Sequence, residues 1–285
     1  MKSIVILLLI TLSTISCSSG IPIAIFHGIG DSCSNGGMDQ ITKYFGRKVG
    51  AYSVCIETAG GFFDFVTSFE SQYENACKQV KADPNLQGEF SVVGLSQGAL
   101  LARAIIQRCD MKGRVKRFVS IGGPQAGVAK IPQCTWDLVC WPINFIADKL
   151  VYFYLVQHFV GPAGYFKNPG DFTDYQKYSS FLANLNNEVD NKNPEYKERM
   201  INLDKVVLIK FNADTMILPG ETAWFSFYDA NQNLVNYKDT ELYKQDFVGI
   251  KTLDERGAIN FASLPGNHLN FSYSDIDRLM IPALQ

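Results

Sequence analysis

The chain has 285 residues, 47% of them hydrophobic, and one large domain with an insertion accommodates that length and core more simply than two small domains. With 26 Lys and Arg against 28 Asp and Glu, the formal net charge is -2; there is no basic field to displace counterions from a nucleic-acid backbone, which excludes nucleic acid as a partner. Only three histidines are present and no Cys-x2-Cys pair occurs, so neither a metal nor a cofactor is expected.

Met1, Lys2 and Ser3 lead into the apolar run Ile4 to Ile10 and then a Ser- and Thr-rich stretch from Thr11 to Gly20. A charged start, a short apolar centre and small residues describe a signal peptide over residues 1–20, cleaved between Ser16 and Ile21. The competing membrane anchor is too short to cross roughly 30 Å of hydrocarbon, and a bacterial lipoprotein signal ending at Cys17 is a weaker alternative. The mature chain is then expected in the secretory pathway, bound for the lysosome or the extracellular fluid. Without Cys17, six cysteines remain: Cys33, Cys55, Cys77, Cys109, Cys134 and Cys140. An even number in an exported chain points to disulfides, and spacing alone leaves their connectivity open.

The apolar runs Ile21 to Phe26 and Tyr52 to Ile56 are short, β-branched and bounded by Gly, Asp or Ser, as buried parallel strands are. Phe65 to Val80 reads as a helix, with Phe65, Phe69, Tyr73 and Cys77 spaced by four. A third strand, Phe90 to Val93, runs into Gly94-Leu95-Ser96-Gln97-Gly98 and then the helix-prone Ala99 to Arg108; a fourth covers Arg117 to Ile121. From about 124 to 203 the alternation stops. So long a segment is expected to carry its own helices as an inserted cap. Strand pattern returns at Lys205 to Phe211 and at Ala258 to Ala262, before a terminal helix near Ile276. Alternating strands and helices predict an α/β fold with a mostly parallel central sheet and a helical cap, over residues 21–285.

The Gly94-Leu95-Ser96-Gln97-Gly98 stretch fits the G-x-S-x-G nucleophile elbow of the α/β-hydrolase fold, a sharp strand-to-helix turn that lifts a serine hydroxyl above the sheet. Five-residue matches arise by chance as ordinary Gly-Ser turns, but here the required strand and helix flank it. A serine hydroxyl needs a base to remove its proton, and in this fold the order is Ser, acid, His. His27 and His158 are misplaced for that order, whereas His268 follows the last core strand in Pro265-Gly266-Asn267-His268. Asp214, directly after Lys205 to Phe211, is placed to orient it. Glu221, Asp229, Asp239, Asp246 and Asp254 lie farther from the strand end and read as solvated loop charges. An oxyanion hole needs two backbone N–H groups; Gln97, after the nucleophile, offers one. Ile29, in the loop His27-Gly28-Ile29-Gly30-Asp31, offers the other, and His27 reads as structural.

With these residues together, the chain resembles the palmitoyl-protein thioesterases, the lysosomal type most closely. The resemblance rests on His27 to Cys33, Gly94 to Gly98, Gln107-Arg108-Cys109, Phe211 to Asp214, Trp224 to Tyr228, Leu242-Tyr243 with Gln245-Asp246, and Gly266 to Leu269, in order over most of Ile21 to Pro282. It implies an α/β-hydrolase that cleaves the thioester between a long fatty acyl chain and a protein cysteine, acting on S-acylated proteins, peptides and long-chain acyl thioesters; a monomer is expected, though no residue pattern decides the oligomeric state. It places the triad on Ser96, Asp214 and His268 and the oxyanion donors on Ile29 and Gln97. It also implies disulfides Cys77 to Cys109 and Cys134 to Cys140. Relatives carry adjacent cysteines after the His-Gly loop; here Ser34 follows Cys33 and the spare cysteine is Cys55, so a bridge between Cys33 and Cys55 remains open. Several glycosylation sites are also usual in the family, whereas Asn270-Phe271-Ser272 is the one candidate here, at Asn270. Two other functions compete: a secreted lipase or carboxylesterase attacking oxygen esters, and a catalytically dead lipid-binding protein. A long acyl chain needs an extended apolar wall, and the aromatic stretch Lys149 to Val160, lacking a polar face, is expected to be buried or to supply it.

Overall fold

A computed structural model describes residues 20–130 and 150–285. The expected signal peptide, Cys134 and Cys140 lie outside the described residues. Six strands form one parallel sheet: β1 (Ile23–Phe26), β2 (Ser53–Ile56), β3 (Glu89–Leu95), β4 (Arg114–Ile121), β5 (Lys205–Phe211) and the last core strand (Ile259–Leu264). Their order, numbering that last one β8, is β2-β1-β3-β4-β5-β8. A two-residue pair, β6 (Phe227–Tyr228) and β7 (Leu234–Val235), stands apart and antiparallel.

Parallel strands need crossovers, and helices supply them on both faces. Along β1, Ile23 and Ile25 face one core and Ala24 and Phe26 the other; along β3, Val93 and Leu95 divide from Phe90 and Val92 in the same way. Helix α1 (Gly36–Val49) and the C-terminal helical turns at 273–284 cover the first face, through Met38, Phe45, Ile276 and Met280. Opposite lie α3 (Phe69–Ala82) and α4 (Gln97–Arg108), with the short α2 (Phe63–Val66) just ahead of α3 in the chain. The expected helix from Phe65 to Val80 is two helices. Extended Thr67 ends the first, and Ser68 caps the second by accepting the Ser71 N–H, so Phe69 and Tyr73 turn inward while Phe65 stays exposed on the earlier turn.

Between β4 and β5 the described residues form helices and no named strand: α5 (Tyr154–Phe159), α6 (Phe172–Tyr178), α7 (Leu182–Leu185) and α8 (Pro194–Ile201). Arg103, fully buried in α4, ties this segment down. It donates to the Gln125 carbonyl at 2.9 Å and Asn186 Oδ1 at 2.7 Å, and burial lowers its pKa to about 9. Past β5 come α9 (Glu241–Lys244) and α10 (Ile250–Glu255).

The strand order reverses between β1 and β3, each leaving the sheet at its carboxyl edge beside the other. Such a switch point opens the crevice where α/β proteins place their sites. The parallel sheet, its helical layers and the strand-turn-helix at Ser96 constitute the α/β-hydrolase fold. No helix among the described residues is long and apolar enough to cross a membrane.

Candidate active site

Ser96 stands between β3 and α4 with φ 52° and ψ -125°. A side chain in that region carries strain of roughly 1–3 kcal/mol, and the surroundings enforce it. The Ser96 N–H donates to the Ile121 carbonyl at 2.8 Å, while its carbonyl accepts the Ala99 N–H at 3.0 Å. Gly94 and Gly98 allow the turn because a Cβ at either would meet backbone: that of Ala99 for Gly94, and that of Phe26 and His27 for Gly98.

His268 follows β8 and brings Nε2 to 2.8 Å from Ser96 Oγ. Its Nδ1 lies 2.7 Å from Asp214 Oδ2, and both side chains are nearly withdrawn from solvent. The second Asp214 oxygen accepts the N–H groups of Met216 at 2.8 Å and Ile217 at 2.9 Å. Nδ1, facing a carboxylate oxygen, is the ring nitrogen placed to donate its proton. Nε2 is left free to accept one from the serine. The structure therefore brings together Ser96, Asp214 and His268 from three strand ends up to 172 residues apart.

Four of the five competing carboxylates have partners elsewhere. Glu221 pairs with Lys210, Asp229 accepts the N–H groups of its own turn at Asn231 and Asn233, and Asp254 meets Lys238 and the Tyr243 hydroxyl. Asp246 differs from the expected solvated charge: it is buried, accepts the Lys251 N–H at the start of α10, and pairs with Lys197.

Gln97 is the first residue of α4, where an N–H has no partner within the helix. Its side chain is tied away from the crevice, donating to Gln72 Oε1 at 2.8 Å and accepting the Tyr165 hydroxyl at 3.0 Å. Across from it, Gly28 sits so close to Ser96 that a Cβ there would lie 3.3 Å from the serine Cβ. Ile29 follows, half-buried. Asn267 was not among the sequence candidates, yet its Oδ1 accepts both the N–H of Thr215 at 2.9 Å and that of His268 at 2.7 Å, joining the acid loop to the base loop.

Cys33 bonds Cys55, and Cys77 bonds Cys109. His27, Cys33 and Glu57 crowd into one metal-sized cluster, but the sulfur belongs to a disulfide and offers no thiolate. Asn270 is exposed beyond His268.

A model of the palmitoyl protein thioesterase family matches residues 22–268. Palmitoyl-protein thioesterase 1 of Caenorhabditis elegans is 36% identical over 267 residues, covering 89% of this chain and 88% of its own. Palmitoyl-protein thioesterase 3 of Dictyostelium discoideum is 31% identical over 274 residues, 95% of this chain and 92% of its own. Lysosomal thioesterase PPT2-B of Xenopus laevis is 33% identical over 175 residues, 60% of this chain and 59% of its own.

Proposed function

From a chain that belongs to the palmitoyl protein thioesterase family, we propose hydrolysis of the thioester between a long-chain fatty acyl group and a protein cysteine, through an acyl-enzyme on Ser96. The observation that carries the mechanism is the continuous chain from Ser96 Oγ through His268 to Asp214, at 2.8 and 2.7 Å. Ser96 attacks the acyl carbonyl as His268 Nε2 takes its proton, and Asp214 stabilises the imidazolium that results. The Ile29 and Gln97 amides hold the oxyanion. Collapse of the tetrahedral intermediate breaks the carbon–sulfur bond, the cysteine thiolate leaving and taking the His268 proton. Water, deprotonated by His268, then attacks the acyl-enzyme and releases the fatty acid with Ser96 restored.

Thiolates leave more readily than alkoxides, so the matched test is turnover of palmitoyl thioester and palmitoyl oxygen ester by the purified mature chain. Preference for the thioester is expected; preference for the oxygen ester transfers the protein to the lipase or carboxylesterase reading. Ser96→Ala should abolish turnover and fluorophosphonate labelling while the chain stays folded, and wild-type rates in that variant would refute the mechanism. Two disulfides favour an oxidising compartment, and with the lysosomal name of the Xenopus relative they support a secretory or lysosomal destination. In this reading the segment between β4 and β5 caps the crevice, and one chain suffices for the reaction.

A further inference from the structure

Behind the loop that carries Ile29 lies a buried polar cluster for which the catalytic scheme has no use. His27, at the end of β1, and Asp64, on α2, are both fully withdrawn from solvent. Asp64 Oδ2 accepts the Gly30 N–H at 3.0 Å; Oδ1 accepts the Gly60 N–H at 2.9 Å and the Thr58 hydroxyl at 3.3 Å. Glu57 makes a second tie, Oε2 accepting the Cys33 N–H at 2.9 Å while Oε1 lies 2.7 Å from His27 Nε2. The His27 ring fills the gap between the carboxylates, its Nδ1 2.9 Å from the Gly28 carbonyl and 3.9 Å from Asp64. The Cys33–Cys55 disulfide joins the same two segments covalently.

A buried carboxylate is tolerated only when its oxygens are bonded, and Asp64 uses one of them on the residue after Ile29. Gly30 has φ +76°, and the Asp31 N–H closes the turn onto the Gly28 carbonyl at 3.3 Å. The anchored turn is therefore the one that sets Gly28 against Ser96 and presents the Ile29 amide.

We propose that Asp64 is a positioning residue for the oxyanion hole: with His27 and Glu57 it fixes the turn from Gly28 to Asp31 so that the Ile29 N–H meets the acyl oxygen as it becomes an anion. This rests on the oxyanion assignment above. Asp64 touches no reacting atom, and its effect reaches the substrate through Gly30. It is felt where charge develops on the oxygen, in the transition state, rather than in ground-state binding. Asparagine cannot replace it, because the two oxygens receive different backbone donors and an amide nitrogen would face one of them.

The test uses the mature chain with Asp64→Asn and the milder Glu57→Gln, which keeps an acceptor for Cys33. Rates are expressed per site titrated to completion with a fluorophosphonate, so that misfolded molecules are not counted. Substrate is a palmitoyl thioester, and a trifluoromethyl ketone analogue of it, which binds as a tetrahedral anion, reports on the hole. Asp64→Asn should lower kcat about 100-fold, as losing one oxyanion donor does, with KM changed less than about 2-fold and analogue affinity reduced by the same factor as kcat/KM. Glu57→Gln should show the same pattern, smaller. An unchanged kcat per labelled site, a loss confined to KM, or undiminished analogue affinity overturns the proposal. If Asp64→Asn yields no labelled sites, Glu57→Gln decides by the same three readings. A wild-type chain that turns over only oxygen esters would refute the thioesterase reading alone, and the variants would then be compared on the oxygen ester.

Discussion

At the scale of single residues, Asp214 and Glu221 separate an orienting carboxylate from a charge that merely pairs. Asp214 Oδ2 faces His268 Nδ1 at 2.7 Å, so under the proposed mechanism Asp214→Asn should lower kcat on the order of 10^4-fold, the loss known when a triad aspartate becomes an amide and the imidazole takes the wrong tautomer. Glu221 serves Lys210, and Glu221→Gln should leave kcat nearly unchanged. Steady-state rates of the two variants check the pair, and the opposite ranking would move the acid to Glu221. Ser96, His268 and Asp214 could be read from the sequence because each follows a strand whose pattern is plain, in an order the fold prescribes. Asn267 and Asp64 could not. Their contacts come from donors 52 and 34 residues away, and a lone Asn or Asp in the sequence gives no sign of such a partner.

At the scale of elements, strand periodicity survived folding well, and β5 has the bounds its sequence suggests. The Phe65 to Val80 reading failed for a local reason: spacing by four continued across a position where Ser68 caps a new helix more favourably than it extends an old one. The Cys77–Cys109 bridge ties α3 to the end of α4 across 32 residues. Replacing both cysteines by serine should lower stability by about 3 to 4 kcal/mol if loop entropy dominates, read from denaturant midpoints under oxidising conditions. Between α7 and α8, Glu188 joins Lys167 at 2.7 Å, the Tyr175 hydroxyl at 2.6 Å and Asn186 at 3.1 Å. Burial pushes its carboxyl up, but the Lys167 charge and the three hydrogen bonds outweigh that and hold it below the ordinary range. A depressed folded-state pKa gives stability that is present above the unfolded value, about 4.3, and lost as pH falls through the folded one. Glu188→Gln, which leaves Lys167 buried without its counter-charge, should lower stability at pH 7 by about 3 kcal/mol. That gap should narrow as melting curves are taken from pH 5 down to pH 3, and a gap constant with pH would show that Glu188 contributes no charge-dependent stability.

At the scale of the whole molecule, the open question is where sixteen carbons of acyl chain would lie. The expectation that Lys149 to Val160 is too aromatic to be exposed does not hold for its described part: Val151 and Gln157 are buried, but Phe153, Tyr154, Leu155 and Phe159 are 58–70% exposed. Gln157 explains the inversion, because its amide donates to the Val151 and Ala163 carbonyls; the inward side of α5 is pinned by hydrogen bonds, and its large apolar side chains are left outside. Gly161 seats the end of α5 so closely on the backbone of Asp64 and Thr67 that no side chain would fit. That brings α5 beside α2 and its neighbours, where Phe62 and Phe63 are also exposed. Phe65 leads from there to the crevice, its ring lying against Gly30 of the loop that carries Ile29. Exposed apolar side chains on neighbouring elements are the kind of surface that marks a binding site, and an acyl chain laid along them would gain about 0.8 kcal/mol per methylene buried. Leu155→Asp and Phe159→Asp should therefore weaken kcat/KM on a palmitoyl thioester about 100-fold, as expected if contact with roughly four methylenes is lost. Neither side chain is part of the triad or the oxyanion hole, so rates on an acetyl thioester should barely change. Wild-type activity should rise with acyl length toward palmitate. Equal losses on acetyl and palmitoyl substrates would mean that these residues only support the fold, and the acyl chain would then have to run along another wall of the crevice.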